Sequence, residues 1–237
     1  MSKTEEKPLN QPLIIFIHGI HGYLDWDIPA LLYKNHGYDT AIFRYSPMGN
    51  TIEEISENFA QFYRDKSTDH DEINIIAHSM GGLVAHDFLM KEKPKNLGRA
   101  VYLATPFGGS QNADFYQHYL EGLFKLTSGE SGYQLTRAYR EENPIEQPDY
   151  PLAIITGDDA GPLYFWNRKI MNEERDGPDD GLVPVSSATA VDTDHVCIVS
   201  SSHNFILYNS AARKQALHFI RQGSFQKNLK GCRFPKP

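Results

Sequence analysis

The order of apolar segments along the 237-residue chain predicts an α/β fold built on a mostly parallel sheet. Short apolar runs alternate with segments of helical periodicity, which is the pattern of strands joined by crossover helices. The runs are nearly continuous in apolar residues, as expected for strands that helices cover on both faces. We therefore predict about six strands, at Leu13–Ile17, Thr40–Arg44, Ile73–Ala77, Ala100–Ala104, Leu152–Thr156 and Val196–Ser200.

The helices between these strands are predicted from apolar spacing and from signals at helix ends. Ile52, Ile55 and Phe59 recur at helical spacing. Thr51 precedes them, with Glu54 three residues further on, which is the pattern of a capping box. Comparable signals predict helices at Ile28–His36, Ile52–Tyr63, Gly82–Lys93 and Ala211–Arg221.

The length of the chain fits one domain with a single large core. We place this domain at residues 12–223, between an N-terminal tail at 1–11 and a C-terminal tail at 224–237. Two segments interrupt the alternation of strands and helices. Residues 107–150 contain no predicted strand and are rich in aromatic side chains, and residues 158–194 form a long polar loop. Long segments of this kind often form the walls or lids of functional sites.

Composition excludes several classes of function. The net charge of −7 offers no basic surface for nucleic acid. The longest strongly apolar run, Leu13–Ile17, is too short to cross a bilayer. No apolar stretch precedes it to act as a signal peptide, so we expect a cytoplasmic location, unless such a peptide has been trimmed away. The two cysteines do not make a disulfide framework, and Cys197 is interpreted as a buried core residue.

Ser79 lies where the chain passes from a predicted strand into a predicted helix. The segment reads Ala77-His78-Ser79-Met80-Gly81-Gly82. A serine in a turn this sharp needs small neighbours, and Ala77 and Gly81 meet that need. This arrangement is a nucleophile elbow, which exposes the serine hydroxyl at the end of the sheet. The pattern predicts that Ser79 is the nucleophile of an acyl-transfer reaction.

A serine hydroxyl becomes a good nucleophile only when a base, itself held by an acid, takes its proton. With such an elbow the chain order is serine, acid, histidine. His203 follows the last predicted strand and precedes the final helix, so we predict that it is the base. Two pairs of aspartates, Asp158-Asp159 after a strand and Asp179-Asp180 before a glycine, fit the acid. Spacing does not separate these pairs.

An oxyanion hole requires two hydrogen-bond donors near the nucleophile. One is the backbone N–H of the following residue, Met80, and the other comes from the loop after the first strand. That loop contains Gly19 and Gly22, which permit close approach of the backbone, and we predict that the Ile20 N–H is the second donor. His18, at the end of the strand, is predicted to be structural rather than catalytic.

Together these segments resemble the α/β-hydrolase superfamily, specifically its bacterial lipase and esterase branch. The resemblance spans roughly residues 12–222. It is carried by five segments in order: Phe16-Ile17-His18-Gly19-Ile20, Ala77-His78-Ser79-Met80-Gly81-Gly82, Ala104-Thr105-Pro106-Phe107-Gly108-Gly109-Ser110, Asp180-Gly181-Leu182-Val183-Pro184 and Ser202-His203.

The resemblance implies which aspartate is the acid and where the cap lies. In these lipases an Asp-Gly-Leu-Val segment carries the acid, which favours Asp180. The Thr-Pro-x-Gly-Gly-Ser segment resembles the loop before the lid, so residues 107–150 become the cap. A cap this short suits a small, esterase-like pocket. Ala77, in place of the first glycine of the motif, also occurs in small Bacillus-type lipases.

The resemblance implies a hydrolase of carboxylic esters acting through Ser79, Asp180 and His203 on a small ester or lipid. The same residues would serve a thioester, lactone, amide or membrane-lipid substrate, and a hydrolase fold kept only for binding is the non-enzymatic alternative. Candidate pocket residues are the aromatics Phe107, Tyr116, Phe165 and Trp166. We expect no cofactor and no metal, and interpret Asp192 and Asp194 as solvated. The sequence leaves the oligomeric state open.

Overall fold

The computed structural model describes residues 11–20, 22, 26–34, 36–162 and 177–235, and in these ranges it contains one six-stranded, fully parallel sheet. The strands are β1 (Leu13–Ile17), β2 (Asp39–Phe43), β3 (Ile73–His78), β4 (Leu97–Leu103), β5 (Leu152–Gly157) and β6 (Val196–Val199). They lie side by side in the order β2-β1-β3-β4-β5-β6. The α/β class and all six predicted strands are confirmed.

Helices connect the strands and cover both faces of the sheet. They are α1 (Leu31–Lys34), α2 (Ile52–Ser67), α3 (Met80–Glu92), α4 (Gln111–Tyr119), α5 (Glu121–Tyr133, interrupted at Gly129), α6 (Arg137–Glu142), α7 (Val185–Ala188) and α8 (Ser210–Gln222), with a 3-10 turn at Phe205–Tyr208. The predicted capping box is present, since the Glu54 N–H donates to the Thr51 hydroxyl and the Thr51 N–H donates to the Glu54 carboxylate. The first helix is shorter than predicted, because turns occupy residues 26–30.

The continuous apolar character of the strands is explained by burial on both faces. Ile15 and Ile17 belong to the cluster that also holds Phe59 of α2, whereas Ile14 and Phe16 belong to the cluster on the opposite face. No residue of β1 is more than 2% exposed. A strand buried on one face only would need alternating polar residues, which this sheet does not have.

Residues 107–150 contain no strand, as predicted, and form α4, α5 and α6 instead. They lie between β4 and β5 in the chain, so they are inserted at the carboxyl end of β4. The Gln134 side chain ties them to the domain, since its carbonyl accepts from the Ile52 N–H at 2.6 Å. None of the helices in the described part of the chain is long and apolar enough to cross a membrane.

Residues 224–235 pack on the domain rather than extending from it as a tail. Phe225 is buried in the apolar cluster that also holds residues of α8. The Arg233 backbone forms an antiparallel bridge with Ile198 of β6. Cys197 is fully buried, as predicted, but it forms a disulfide with Cys232.

Three polar side chains, His86 of α3, Tyr150 and Tyr102, are linked in series. The His86 Nδ1 is 2.7 Å from the Tyr150 hydroxyl, which is 3.0 Å from the Tyr102 hydroxyl. Burial lowers the pKa of His86 from 6.5 to about 4, and nearby carboxylates offset this only in part. His86 is therefore neutral in the folded protein at pH values where an unfolded chain would protonate it.

Acidification should destabilise the fold through His86. Between pH 6.5 and about 4 the unfolded state binds a proton that the folded state refuses, so the free energy of unfolding falls as pH falls through this window. From pH 7 to pH 5 the loss due to His86 should be about 2 kcal/mol. Urea denaturation of the wild type and His86→Gln at both pH values measures it. Between the two pH values, the free energy of unfolding of His86→Gln should fall by about 2 kcal/mol less than that of the wild type. His36→Gln, at an exposed histidine, is the control and should behave as wild type. Equal losses in all three proteins would contradict the assignment.

Candidate active site

Ser79 occupies a strained turn between β3 and α3. Its backbone has φ 54° and ψ −129°, a conformation that residues other than glycine rarely adopt. The turn is held on both sides, because the Ser79 N–H donates to the Leu103 carbonyl at 2.8 Å and the Thr105 hydroxyl donates to the Ser79 carbonyl at 3.1 Å. The surrounding structure thus enforces the predicted elbow.

The glycines after Ser79 are required by close packing. A Cβ on Gly81 would lie 2.5 Å from the His18 carbonyl oxygen and 2.8 Å from that of Ile17. A Cβ on Gly82 would lie 1.9 Å from the Thr105 hydroxyl oxygen. The start of α3 therefore touches the end of β1 with no side chain between them.

His203 and Asp180 meet behind the carboxyl edge of the sheet. The Nδ1 of His203 lies 2.7 Å from Oδ2 of Asp180, and the His203 N–H donates to the Asp180 carbonyl at 2.9 Å. Asp180 is fully buried. Its second carboxylate oxygen accepts from the N–H groups of Leu182 at 3.0 Å and Val183 at 2.8 Å. These donors satisfy a buried carboxylate, as burial requires.

The other candidate aspartates have different partners. Asp158 forms an ion pair with Arg233. Asp159 accepts from the Gly161 N–H at 3.0 Å, and Asp179 accepts from the Gly181 N–H at 2.7 Å. Of the four aspartates, the structure brings Asp180 to His203.

A cavity of about 210 Å³ opens beside Ser79 and His203, and both residues line it. Its walls are mostly apolar. The lining residues are Gly19, Ile20, Gly22, His78, Ser79, Pro106, Ser110, Asn112, Ala113, Tyr116, Ser128, Leu135, Leu182, Val183, His203 and Asn204. Among the described residues, no hydrogen bond joins the Ser79 hydroxyl to His203; catalytic hydrogen bonds often tighten only when substrate binds.

The residues of the two predicted oxyanion donors lie next to Ser79 in the chain or at the same cavity. Ile20 lines the cavity, and Met80 is the first residue of α3. Within the described ranges, neither backbone N–H donates to another protein group. His18 is buried, and its ring bonds to the backbone at Gly19 and at Tyr45. These contacts fit the structural role predicted for His18, which stays a prediction.

The predicted aromatic wall is present only in part. Tyr116 lines the cavity. The prediction for Phe107 is wrong, because its side chain is buried in the core beside His86 and Tyr102. Phe165 and Trp166 lie outside the described residues. The cap adds the aliphatic residues Ala113 and Leu135 to the wall, and the Asp180 loop adds Leu182 and Val183. In the sequence, the apolar Leu182-Val183 pair directly after Asp180 could have indicated this part of the wall.

His78 is a site residue that sequence reasoning missed. It is fully buried, and its Nε2 lies 3.0 Å from the His203 carbonyl oxygen. Because a carbonyl only accepts, the proton of His78 is on Nε2. Burial, reinforced by the nearby His203, lowers the pKa of His78 well below 6.5. The neutral ring thus holds the backbone of the His203 loop.

No group of three or more potential metal ligands occurs in the described ranges, where Asp192 and Asp194 also lie.

The strand order, the strained turn after β3 and the histidine loop after β6 define an α/β-hydrolase fold. Solved structures of this fold superpose on most of the chain. The mature Bacillus licheniformis lipase BlEst2 gives a TM-score of 0.65 at 20% identity, over 94% of this chain and 95% of the lipase. The metagenomic carboxyl esterase MGS0156 gives 0.64 at 17% identity, over 85% and 68%. A thermophilic esterase from Thermogutta terrifontis gives 0.59 at 12% identity, over 91% of each chain.

Similarity in sequence extends to a curated protein, the triacylglycerol lipase 2 of Saccharomyces cerevisiae. The two are 29% identical over an alignment of 149 residues, which covers 54% of this chain and 46% of the yeast lipase. The match therefore spans about half the length of that relative. No protein-family model matches the chain.

Placing a methyl group at Gly81 should destabilise the elbow. The Gly81→Ala side chain would meet two backbone carbonyl oxygens of the β1 end, which cannot rotate away. We expect a loss of about 1–3 kcal/mol in the free energy of unfolding, as for other overpacked sites. Urea denaturation measures this loss. Gly122→Ala is the matched control, since its Cβ meets nothing within 4 Å. Equal stability of the two variants would contradict the packing argument.

Proposed function

We propose that the chain hydrolyses carboxylic esters through a triad of Ser79, His203 and Asp180. The observation that carries this proposal is the contact of His203 with the buried Asp180, 2.7 Å apart, at a cavity that Ser79 also lines. The likeness in fold to lipases and esterases and the partial match to a yeast triacylglycerol lipase support it.

His203 acts as the general base in this mechanism. Its Nδ1 proton faces Asp180, so the lone pair on Nε2 is free to take the Ser79 proton. Ser79 attacks the ester carbonyl, His203 returns the proton to the leaving alcohol, and water then repeats the cycle on the acyl-enzyme. Asp180 holds the ring in this tautomer and stabilises the imidazolium that forms.

The tetrahedral intermediate places negative charge on the former carbonyl oxygen. The backbone N–H groups of Ile20 and Met80 stabilise this oxyanion. Both are fixed by the main chain, and such preorganised donors are worth about 10²–10³ in turnover each. No metal is needed for this chemistry.

The cavity favours a short acyl chain. A volume of about 210 Å³ is small beside the pockets of about 300–1,000 Å³ that hold drug-sized ligands. Ala113, Leu135 and Val183 present apolar surface there. The preferred acyl group is therefore short rather than a long fatty-acyl chain.

Removing the nucleophile should abolish hydrolysis and leave the fold intact. Ser79→Ala should lower kcat for p-nitrophenyl butyrate by at least about 10³-fold, because the acyl-enzyme cannot form. Wild type should be labelled by a fluorophosphonate at one site per chain, and Ser79→Ala should not be labelled. Ser56→Ala, a buried serine in α2, is the control and should keep full activity. Hydrolysis that survives in Ser79→Ala would exclude the proposal.

Filling the cavity should shift the preference toward shorter acyl groups. Ala113→Leu adds three carbons to the wall, so kcat/KM for hexanoate should fall relative to acetate by about 10-fold or more. A series of p-nitrophenyl esters from acetate to decanoate measures this, with matched thioesters to compare leaving groups. Ala138→Leu on the exposed side of α6 should leave the profile unchanged. An optimum at decanoate in the wild type would contradict the proposed acyl length.

A further inference from the structure

The loop after β1 is joined to the residues after β2 by a reciprocal contact between His18 and Tyr45. The Tyr45 hydroxyl donates to the His18 carbonyl at 2.7 Å, and the Tyr45 N–H donates to Nε2 of His18 at 3.2 Å. The two rings stack at 4.1 Å with an angle of 7°. Burial raises the pKa of Tyr45, so its hydroxyl remains a donor at every pH used for assays.

These contacts determine the tautomer of His18. Because Nε2 accepts from the Tyr45 N–H, the ring proton is on Nδ1. That Nδ1–H donates to the Gly19 carbonyl at 2.7 Å, and the Gly22 N–H donates to the same oxygen at 3.2 Å. The Gly19 carbonyl is thus held from two sides.

Holding this carbonyl orients the next amide. The Gly19 C=O and the Ile20 N–H belong to one planar trans peptide, so they point in opposite directions. Gly19 and Ile20 both line the cavity. A carbonyl fixed by His18 therefore fixes the direction of the Ile20 N–H beside Ser79.

The His18 carbonyl, which accepts from the Tyr45 hydroxyl, also contacts the elbow. Gly81 packs directly against it, at 2.5 Å from where a Cβ would lie. Tyr45 therefore secures the β1 loop both in orientation and in its distance from the turn that carries Ser79.

We infer that Tyr45 is a positioning residue for the oxyanion hole, acting through His18 on the Gly19–Ile20 peptide. This inference rests on the proposed function of the same site. Tyr45 does not line the cavity and touches no reacting atom, so it supplies alignment rather than chemistry. Since the oxyanion exists only in the transition state, loss of alignment affects kcat and leaves KM nearly unchanged.

The test is Tyr45→Phe, which keeps the stacked ring and the backbone N–H that bonds to the His18 ring, and removes only the hydroxyl that holds the His18 carbonyl one peptide before the Gly19–Ile20 peptide. We expect kcat for p-nitrophenyl butyrate to fall about 10-fold with KM within about twofold, because small misplacements at such a site are costly. Affinity for a trifluoromethyl ketone, which mimics the tetrahedral intermediate, should fall in parallel. Tyr63→Phe removes a buried hydroxyl bonded to Asn96, far from the cavity, and should change neither quantity. An unchanged kcat in Tyr45→Phe, or a change in KM alone, overturns the inference.

A second measurement does not depend on activity. The Gly22 amide, which donates to the Gly19 carbonyl, should exchange its hydrogen faster in Tyr45→Phe than in wild type or Tyr63→Phe, as followed by ¹H–¹⁵N NMR. Equal exchange in all three proteins overturns the positioning role whatever the substrate. If Tyr45→Phe unfolds, His18→Ala takes its place in both measurements and should lower kcat at least as much. Failure of the proposed function itself would appear separately, as wild type without esterase activity or as Ser79→Ala with full activity.

Discussion

The close approach of β1 to the start of α3 is the constraint on which the site depends. Ser79 turns the chain through a strained backbone, and Gly81 then lies against the carbonyl groups that end β1. Only glycine fits this contact. Because the helix begins immediately, the loop after β1 comes to lie beside the serine. The cavity and the proposed oxyanion donors exist where they do because this contact is made without side chains.

Asp180 and His203 reach the site from the segments that follow β5 and β6. Asp180 is buried among N–H donors of its own loop and lies against His203. The cap is tied to that same loop, since the Ser110 hydroxyl donates to the Leu182 carbonyl at 2.6 Å and the Asn112 amide donates to the Gly181 carbonyl at 3.0 Å. The segment that shapes the cavity therefore also steadies the loop that carries Asp180.

Features that depend on neighbouring residues could be predicted from the sequence, whereas features that depend on contacts between distant residues could not. The strands and the capping box at Thr51 follow from neighbouring residues, whose preferences act over a turn or a strand. Spacing could not separate Asp158 from Asp180, because Asp158 directly follows a strand whereas Asp180 precedes a glycine and an apolar segment, and either arrangement can aim an acid at the histidine. Resemblance favoured Asp180, and the fold gives the reason: Asp158 is turned toward Arg233 of the C-terminal segment. Tyr116 and Phe107 are both aromatic residues of the segment 107–150, and nothing in the sequence separates their roles. Only the packing shows that Tyr116 lines the cavity and that Phe107 belongs to the core.

Four features could be predicted before the fold was known, because each depends on a short-range pattern: the α/β class, the strand positions, the turn at Ser79 and the position of His203 after the last strand. Three others arise only when the chain folds: the pairing of Cys197 with Cys232, the size of the cavity and the contact of Tyr45 with His18. Tyr45 follows β2 and His18 follows β1, and nothing local marks their contact. It arises because those two strands lie side by side in the sheet, which only folding establishes.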